Sequence, residues 1–359
     1  GAAAAAPANA ITILPLAADP TGFTPAPGVA HLKYNENPLG PPPSALRAMA
    51  ELARSSWYYA DDAESRLAAM IGKSLGVPAA QVVLGHGSSE IITSAALAWG
   101  KRGTILLPAL QFDEPLLYPM AQGLSYRRVA MAPDLGIDLD ALARAAAAPD
   151  VAMIYLCNPN NPTGMLLPAA DLAAFARSLP PRVTLLVDEA YMELADDPAG
   201  STMLPLVRAG ANVIVTRTFS KLFGMAGLRI GYAVASPANA AELKRHRLTI
   251  SLNAPGLAAA IAAWDDRGFQ QSSRAQILAA RKLLETAVAR AGTIALPSQA
   301  NFLFVKVADA NRFAAAMAER QILVRGAWGP AWPNWSRVST GRLADVERFA
   351  RALPDLVST

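Results

Sequence analysis

Short apolar runs alternate along this chain with longer stretches in which apolar residues recur at helical spacing. The runs at 81–84, 105–107, 152–156, 183–187 and 213–216 are short enough and apolar enough for buried strands. Segments such as Ala45–Ala53 and Ala169–Ser178 place apolar residues three and four apart and read as helices. That alternation over about 46–245 predicts an α/β fold with a mostly parallel sheet covered by helices. Ala238–Thr249, with its alternating Lys, Arg and His, reads as the start of a long helix leading into a second unit. That unit, 246–359, predicts helices at 256–264 and 272–291, strands at 302–307 and 335–339, and a closing helix from Leu343. Residues 1–45 are rich in Pro, Ala and Gly and read as an arm without a core of its own.

Composition adds bounds. With 359 residues the chain can bury a large core, and about two domains are expected. The 53% hydrophobic content is inflated by alanine, and no stretch approaches the ~18 apolar residues of a membrane span. The net charge of +4 suits an anionic ligand, while the absence of a dense Lys/Arg stripe with interleaved aromatics argues against nucleic acid. One cysteine, Cys157, allows neither an intramolecular disulfide nor a multi-cysteine zinc site, and His31, His86 and His246 are too scattered to suggest a metal.

The candidate chemistry lies at strand ends. After the strand at 212–216, Thr218, Ser220, Lys221 and Arg229 combine an amine nucleophile with three groups able to hold an anion. After 151–156 comes Asn158-Pro159-Asn160-Asn161-Pro162-Thr163-Gly164, a rigid turn. After 183–187 come Asp188, Glu189 and Tyr191, an acid and a phenol facing the same crevice. Gly85-His86-Gly87-Ser88-Ser89-Glu90 is a glycine-bearing turn into a helix, whose free N–H groups suit an anion. Read singly, these are a solvated loop lysine, a turn, a strand terminus and a capped helix start. Their order along one chain makes a site the better reading.

With these motifs, Asn35-Glu36-Asn37-Pro38-Leu39-Gly40 and Arg337-Val338-Ser339-Thr340-Gly341, the chain resembles the fold-type I, pyridoxal-phosphate-dependent aminotransferases of class I/II. Within them it is most similar to the histidinol-phosphate aminotransferase branch. The resemblance implies pyridoxal 5'-phosphate as cofactor, with Lys221 as the Schiff-base lysine and proton shuttle, and Asp188 paired with the pyridine nitrogen. It puts Asn161 and Tyr191 on the cofactor's phenolic oxygen and Phe112 stacked on its ring. Gly87, Ser88, Ser89, Thr218, Ser220 and Arg229 are implied at the phosphate, with Tyr59 reaching it from a neighbouring subunit of a homodimer. Arg337, Arg325 and Asn37 are implied at the substrate. Leu39 stands where many members carry an aromatic residue, and Tyr59-Ala60-Asp61 replaces their Tyr-Pro-Asp.

The implied reaction is a ping-pong transfer from an amino donor, histidinol phosphate, to a 2-oxo acid, 2-oxoglutarate. An aromatic amino acid aminotransferase and a threonine-phosphate decarboxylase-like lyase carry similar motifs and stay as alternatives. A cofactor-sensing regulator would need a DNA-binding segment that 1–45 is too short to supply. The family default is the cytoplasm, although the small-residue opening Gly1–Ala10 is also what a removed export signal leaves behind.

Overall fold

The protein is described by a computed structural model covering residues 26–357. The Gly1–Ala10 opening and the first 25 residues of the expected arm lie outside the described residues. Twelve strands occur among them. These are β1 (Ala30–His31), β2 (Val82–Gly85), β3 (Thr104–Pro108), β4 (Tyr126–Val129), β5 (Val151–Cys157), β6 (Thr184–Asp188), β7 (Val213–Thr218), β8 (Gly231–Ala235), β9 (Phe302–Lys306), β10 (Ile322–Leu323), β11 (Arg325–Ala327) and β12 (Trp335–Ser339).

Seven strands form one sheet in the order β2-β8-β7-β6-β5-β3-β4. Only β8 runs against its neighbours β2 and β7; the remaining pairs are parallel. Side chains leave the strands alternately. Leu185 and Val187 of β6 enter one core with Val213 and Val215 of β7, while Leu186 and Ile214 enter the other. Both faces are covered, so the strands read as unbroken apolar runs rather than as alternating ones. This is the fold-type I architecture expected from the sequence. The second unit is smaller: β11-β12-β9 form an antiparallel sheet. Helices Ala310–Glu319 and Leu343–Leu356 pack into its core with the end of the helix Arg267–Arg290.

Apolar packing divides the chain differently from the expected 46–245 and 246–359. The helix Ala254–Trp264 contributes Leu257, Ala260 and Trp264 to the core of the large sheet. Within Arg267–Arg290, Ile277 still belongs to that core, whereas Ala280, Leu284 and Val288 belong to the small one. We therefore place the division inside this helix. The expected arm also has a partner: β1 pairs with β10, and Ala30 and Leu32 are fully buried in the small unit's core.

The expected long helix from Ala238 is interrupted. A helix spans Pro237–His246 and ends at Arg247, which is extended and whose guanidinium bonds the Leu84 carbonyl at 2.8 Å and Glu64 at 2.5 Å. Ile250 follows with φ 53°, a conformation that breaks any helix and that a β-branched residue adopts under strain. Asn253 then restarts the chain as a helix, its side chain accepting from the Gly256 amide at 2.6 Å.

The two units meet above the carboxyl ends of β5 and β6. There Phe302 of β9 packs edge-on against Tyr191, at 5.2 Å between ring centroids, in a small cluster with Cys157, Ala190 and Ala300. In open parallel sheets this is where ligands bind.

Because Trp264 packs with Phe219, Phe223 and Tyr232, Trp264→Ala should destabilise the large unit by about 3–5 kcal/mol in denaturant unfolding. A loss below about 1 kcal/mol would show that this helix is not part of the large core.

Candidate active site

A cavity of about 250 Å³ opens at this junction. Three strands end on it: β5 with Cys157, β6 with Asp188 and β7 with Thr218. The loops beyond bring Asn161, Tyr191, Ser220 and Lys221, and the small unit brings Arg325, Trp328 and Arg337.

Asp188 is 2% exposed. Burial pushes its carboxyl from the ordinary 3.8 up to about 7, against the hydroxyl of Thr216, which donates to Oδ1 at 2.8 Å, and against the nearby Lys221 charge. Lys221 is moved the other way. Burial, then the charge of Arg337, pull its amine from 10.5 down to about 8. Its Nζ donates to the Asn35 carbonyl at 3.1 Å and lies 5.6 Å from the Tyr191 ring centroid. An amine whose pKa lies so near neutrality has a ready nucleophilic fraction, which an ordinary lysine lacks.

Hydrogen-bond polarity can be followed outward from Asn35. Its amide donates to the Tyr191 hydroxyl at 3.0 Å, so that hydroxyl keeps its own proton to give elsewhere. Arg337 donates to Oδ1 of Asn161 at 2.6 Å, leaving the Asn161 Nδ2 group as a donor. Asn35 is held in turn by Ser339 and Asn301, with its backbone at φ 56°.

One end of the cavity is built for an anion. The helix Gly87–Gly100 starts at it without a side-chain cap, presenting the N–H groups of its first turn. Gly87 has φ 68°, and a Cβ there would stand 2.5 Å from Arg229 Nη2. A Cβ on Gly231 would fall 2.4 Å from the Ser88 nitrogen, so both glycines are required by close approach. Thr218 donates to Ser220 Oγ at 2.9 Å, and Arg229, itself at φ 56°, reaches Ser220 Oγ at 3.4 Å.

The opposite end holds two arginines. Arg325 and Arg337 are cross-strand partners on β11 and β12, and their guanidinium carbons lie 5.0 and 5.2 Å from the Trp328 ring centroid. Like charges directly opposite each other are unfavourable. Burial and the neighbouring Arg325 hold the Arg337 guanidinium down to about 10, and its Nε has no partner among the described residues. Such a pair fits a site that is completed by an anion.

Of the residues predicted from sequence, Ser88, Ser89, Phe112, Asn161, Asp188, Tyr191, Thr218, Ser220, Lys221, Arg229, Arg325 and Arg337 all line this one cavity, and Gly87 lies against Arg229. Two do not. Tyr59 is outside it and 72% exposed. Asn37, expected at the substrate, is instead buried beside it, its amide used by the Leu222 carbonyl at 2.9 Å and Ser273 Oγ at 2.7 Å. It fastens the segment behind Lys221. The sequence reading missed Asn35 as the organiser of the Tyr191 and Lys221 contacts, and missed Tyr34, Glu114 and Trp328 in the lining. The Trp328 segment, Trp-Gly-Pro-Ala-Trp-Pro, carried an aromatic signal three residues after Arg325 that could have found it.

Comparison with known proteins places this geometry. The model of the family described as aminotransferase class I and II matches residues 27–353. Histidinol-phosphate aminotransferase 2 of Ralstonia nicotianae is 39% identical over 87% of this chain and 84% of its own. Histidinol-phosphate aminotransferase 1 of Cupriavidus pinatubonensis is 37% identical over 91% and 88%. Among solved structures, histidinol-phosphate aminotransferase from Sinorhizobium meliloti in complex with pyridoxal-5'-phosphate superposes with a TM-score of 0.82 at 31% identity, covering 92% of this chain and 91% of that one.

The Asp188 environment makes a pH prediction for the ligand-free chain. A carboxyl raised from 3.8 to about 7 binds more protons folded than unfolded between those values, so it makes stability fall as pH rises through that window. Asp188→Asn should remove on the order of 4 kcal/mol of that decline. Unfolding free energies of wild type and variant that run parallel from pH 4 to 7 would contradict it.

Proposed function

The chain belongs to the aminotransferase class I and II family, and from that premise we propose how its residues divide the work and which donor they select. It is a pyridoxal-phosphate-dependent aminotransferase. The fit of the cofactor rests on the donor set. An uncapped helix end with glycines, two hydroxyls and Arg229 suits its phosphate, a buried carboxylate suits its ring nitrogen, and a half-buried amine suits its aldehyde. When bound, the cofactor supplies the electron sink that makes a donor's α-proton removable.

The chain's own residues do the rest. Asp188 would pair with the ring nitrogen and, as a buried anion, favour its protonated form. Tyr191 and Asn161, each with a free proton, would hold the phenolic oxygen by donating to it. Lys221 Nζ takes the proton from the donor's α-carbon and returns it on the far side of the transfer. Its depressed pKa suits that work near neutral pH. Phe112, in the cavity lining, would cover the ring face. Arg337 and Arg325 orient the anionic end of the donor, and later of the acceptor, by forked hydrogen bonds.

The donor we propose is histidinol phosphate, with 2-oxoglutarate as acceptor. The observation that carries this is the paired Arg325 and Arg337: two guanidinium groups at one end match a phosphate dianion better than a single carboxylate, and the relatives named above act on this donor. We also propose a homodimer. Trp57, Tyr58, Tyr59, Leu248 and Ile250 are large, apolar and exposed, and a second copy covering them would carry Tyr59 to its neighbour's phosphate end. A cytoplasmic location is proposed from the family default alone.

Adding donors singly to the loaded enzyme, without a 2-oxo acid, tests the reading. Histidinol phosphate should bleach the yellow cofactor absorbance at least about tenfold faster than phenylalanine, tyrosine or glutamate. Bleaching by aromatic amino acids alone would replace the donor. Release of carbon dioxide from phosphothreonine would replace the reaction with a decarboxylation.

A further inference from the structure

The active-site cavity does not end at Trp328. A second cavity of about 500 Å³ continues beyond it, sharing Glu114, Arg325 and Trp328 with the first and walled by Pro330 and Trp332. Glu114 is therefore the carboxylate at the junction of the two. Nothing among the described residues pairs with it. Its neighbour Asp113 is already engaged by Arg128, the adjoining Pro115 is buried, and Thr93 Oγ1 donates to the Pro115 carbonyl at 2.7 Å. The short helix Glu114–Leu116 is thus anchored on both sides of Glu114, which is itself at the rim. Glu114 is exposed, so this anchored backbone presents a solvated carboxylate whose charge acts on Arg337 and which is free to pair with a donor group entering the junction.

We propose that Glu114 is a specificity-determining residue, and that the junction it shares with Trp328 and Trp332 receives the distal end of the amino donor, selecting a flat, N–H-bearing ring over an apolar one of the same size. Arg325 and Arg337 then hold the donor's anion while Glu114 accepts a hydrogen bond from its ring, with the two tryptophans offering apolar faces. A charge-assisted bond of that kind favours the matched ring by about tenfold. A phenyl ring leaves the carboxylate to water and gains nothing from it. The inference rests on the aminotransferase reading, but not on the phosphorylated donor in particular.

The test uses two donor pairs that differ in the ring: histidinol phosphate against phenylalaninol phosphate, and histidine against phenylalanine. Single-turnover kcat/KM is measured with loaded wild-type enzyme, Glu114→Gln and Glu114→Ala. In at least one pair the wild type should prefer imidazole by about tenfold or more, and both variants should bring that ratio near unity, chiefly through KM for the imidazole donor. Retained turnover of the phenyl donor shows that the variants are folded and loaded. If the wild type turns over neither phosphorylated donor but keeps a Glu114-dependent preference for histidine over phenylalanine, the proposed donor fails and this inference stands. A wild type without a preference in either pair, or a preference that survives Glu114→Gln and Glu114→Ala unchanged, overturns it.

Discussion

A buried carboxyl and a half-buried amine stand at the carboxyl edge of one sheet, and their displaced pKa values set the chemistry. Burial drives the Asp188 carboxyl and the Lys221 amine toward one another on the pH scale, to about 7 and about 8. Neither would hold this condition on a mobile loop. Asp188 is the last residue of a central strand with covered faces, paired with Thr216 of the next strand and bonded to its hydroxyl. Lys221 lies three residues past the end of the adjacent strand, fastened from behind by Asn37 and Ser273 through the Leu222 carbonyl. The sheet fixes the separation of the two groups, and desolvation makes each reactive.

The surroundings follow from that constraint. Buried polar groups need partners, and Asn35 supplies many of them. Its carbonyl accepts from Lys221 and Asn301, its amide donates to Tyr191, and Ser339 holds it in place. A residue of the N-terminal segment thereby joins both units across the cavity. The same charge demand arises at both ends: a helix start with Arg229 at one, the Arg325 and Arg337 pair at the other. Each end is complete when an anion occupies it, as a reaction between a phosphorylated cofactor and anionic substrates requires.

The large sheet was legible because its strands are buried on both faces and so stand out as apolar runs ending in polar clusters. Asp188, Asn161 and Lys221 were found for the same reason. The chemistry sits where the apolar runs stop. Strands β8 and β4 were not read as such. β8 begins two residues after Arg229, which was noticed for its charge alone, and β4, at the sheet edge, carries Arg127 and Arg128 rather than an apolar run. The interruption at Arg247 depends on bonds to Leu84 and Glu64, more than 160 residues away for the first. The roles of Asn37 and Asn35 likewise differ through tertiary partners alone, Ser273 for one and Tyr191 for the other. Local sequence shows that asparagines occur there. It cannot show which one faces the cavity.

The central claim is that Lys221 is the amine that holds the cofactor. Borohydride reduction of the yellow enzyme fixes the cofactor to whichever amine carries it, and mass mapping of the digested chain then locates the added mass. The account predicts the modification on the peptide containing Lys221, with no such labelling in Lys221→Ala. Modification of a different lysine, or an unchanged label in the variant, would contradict it.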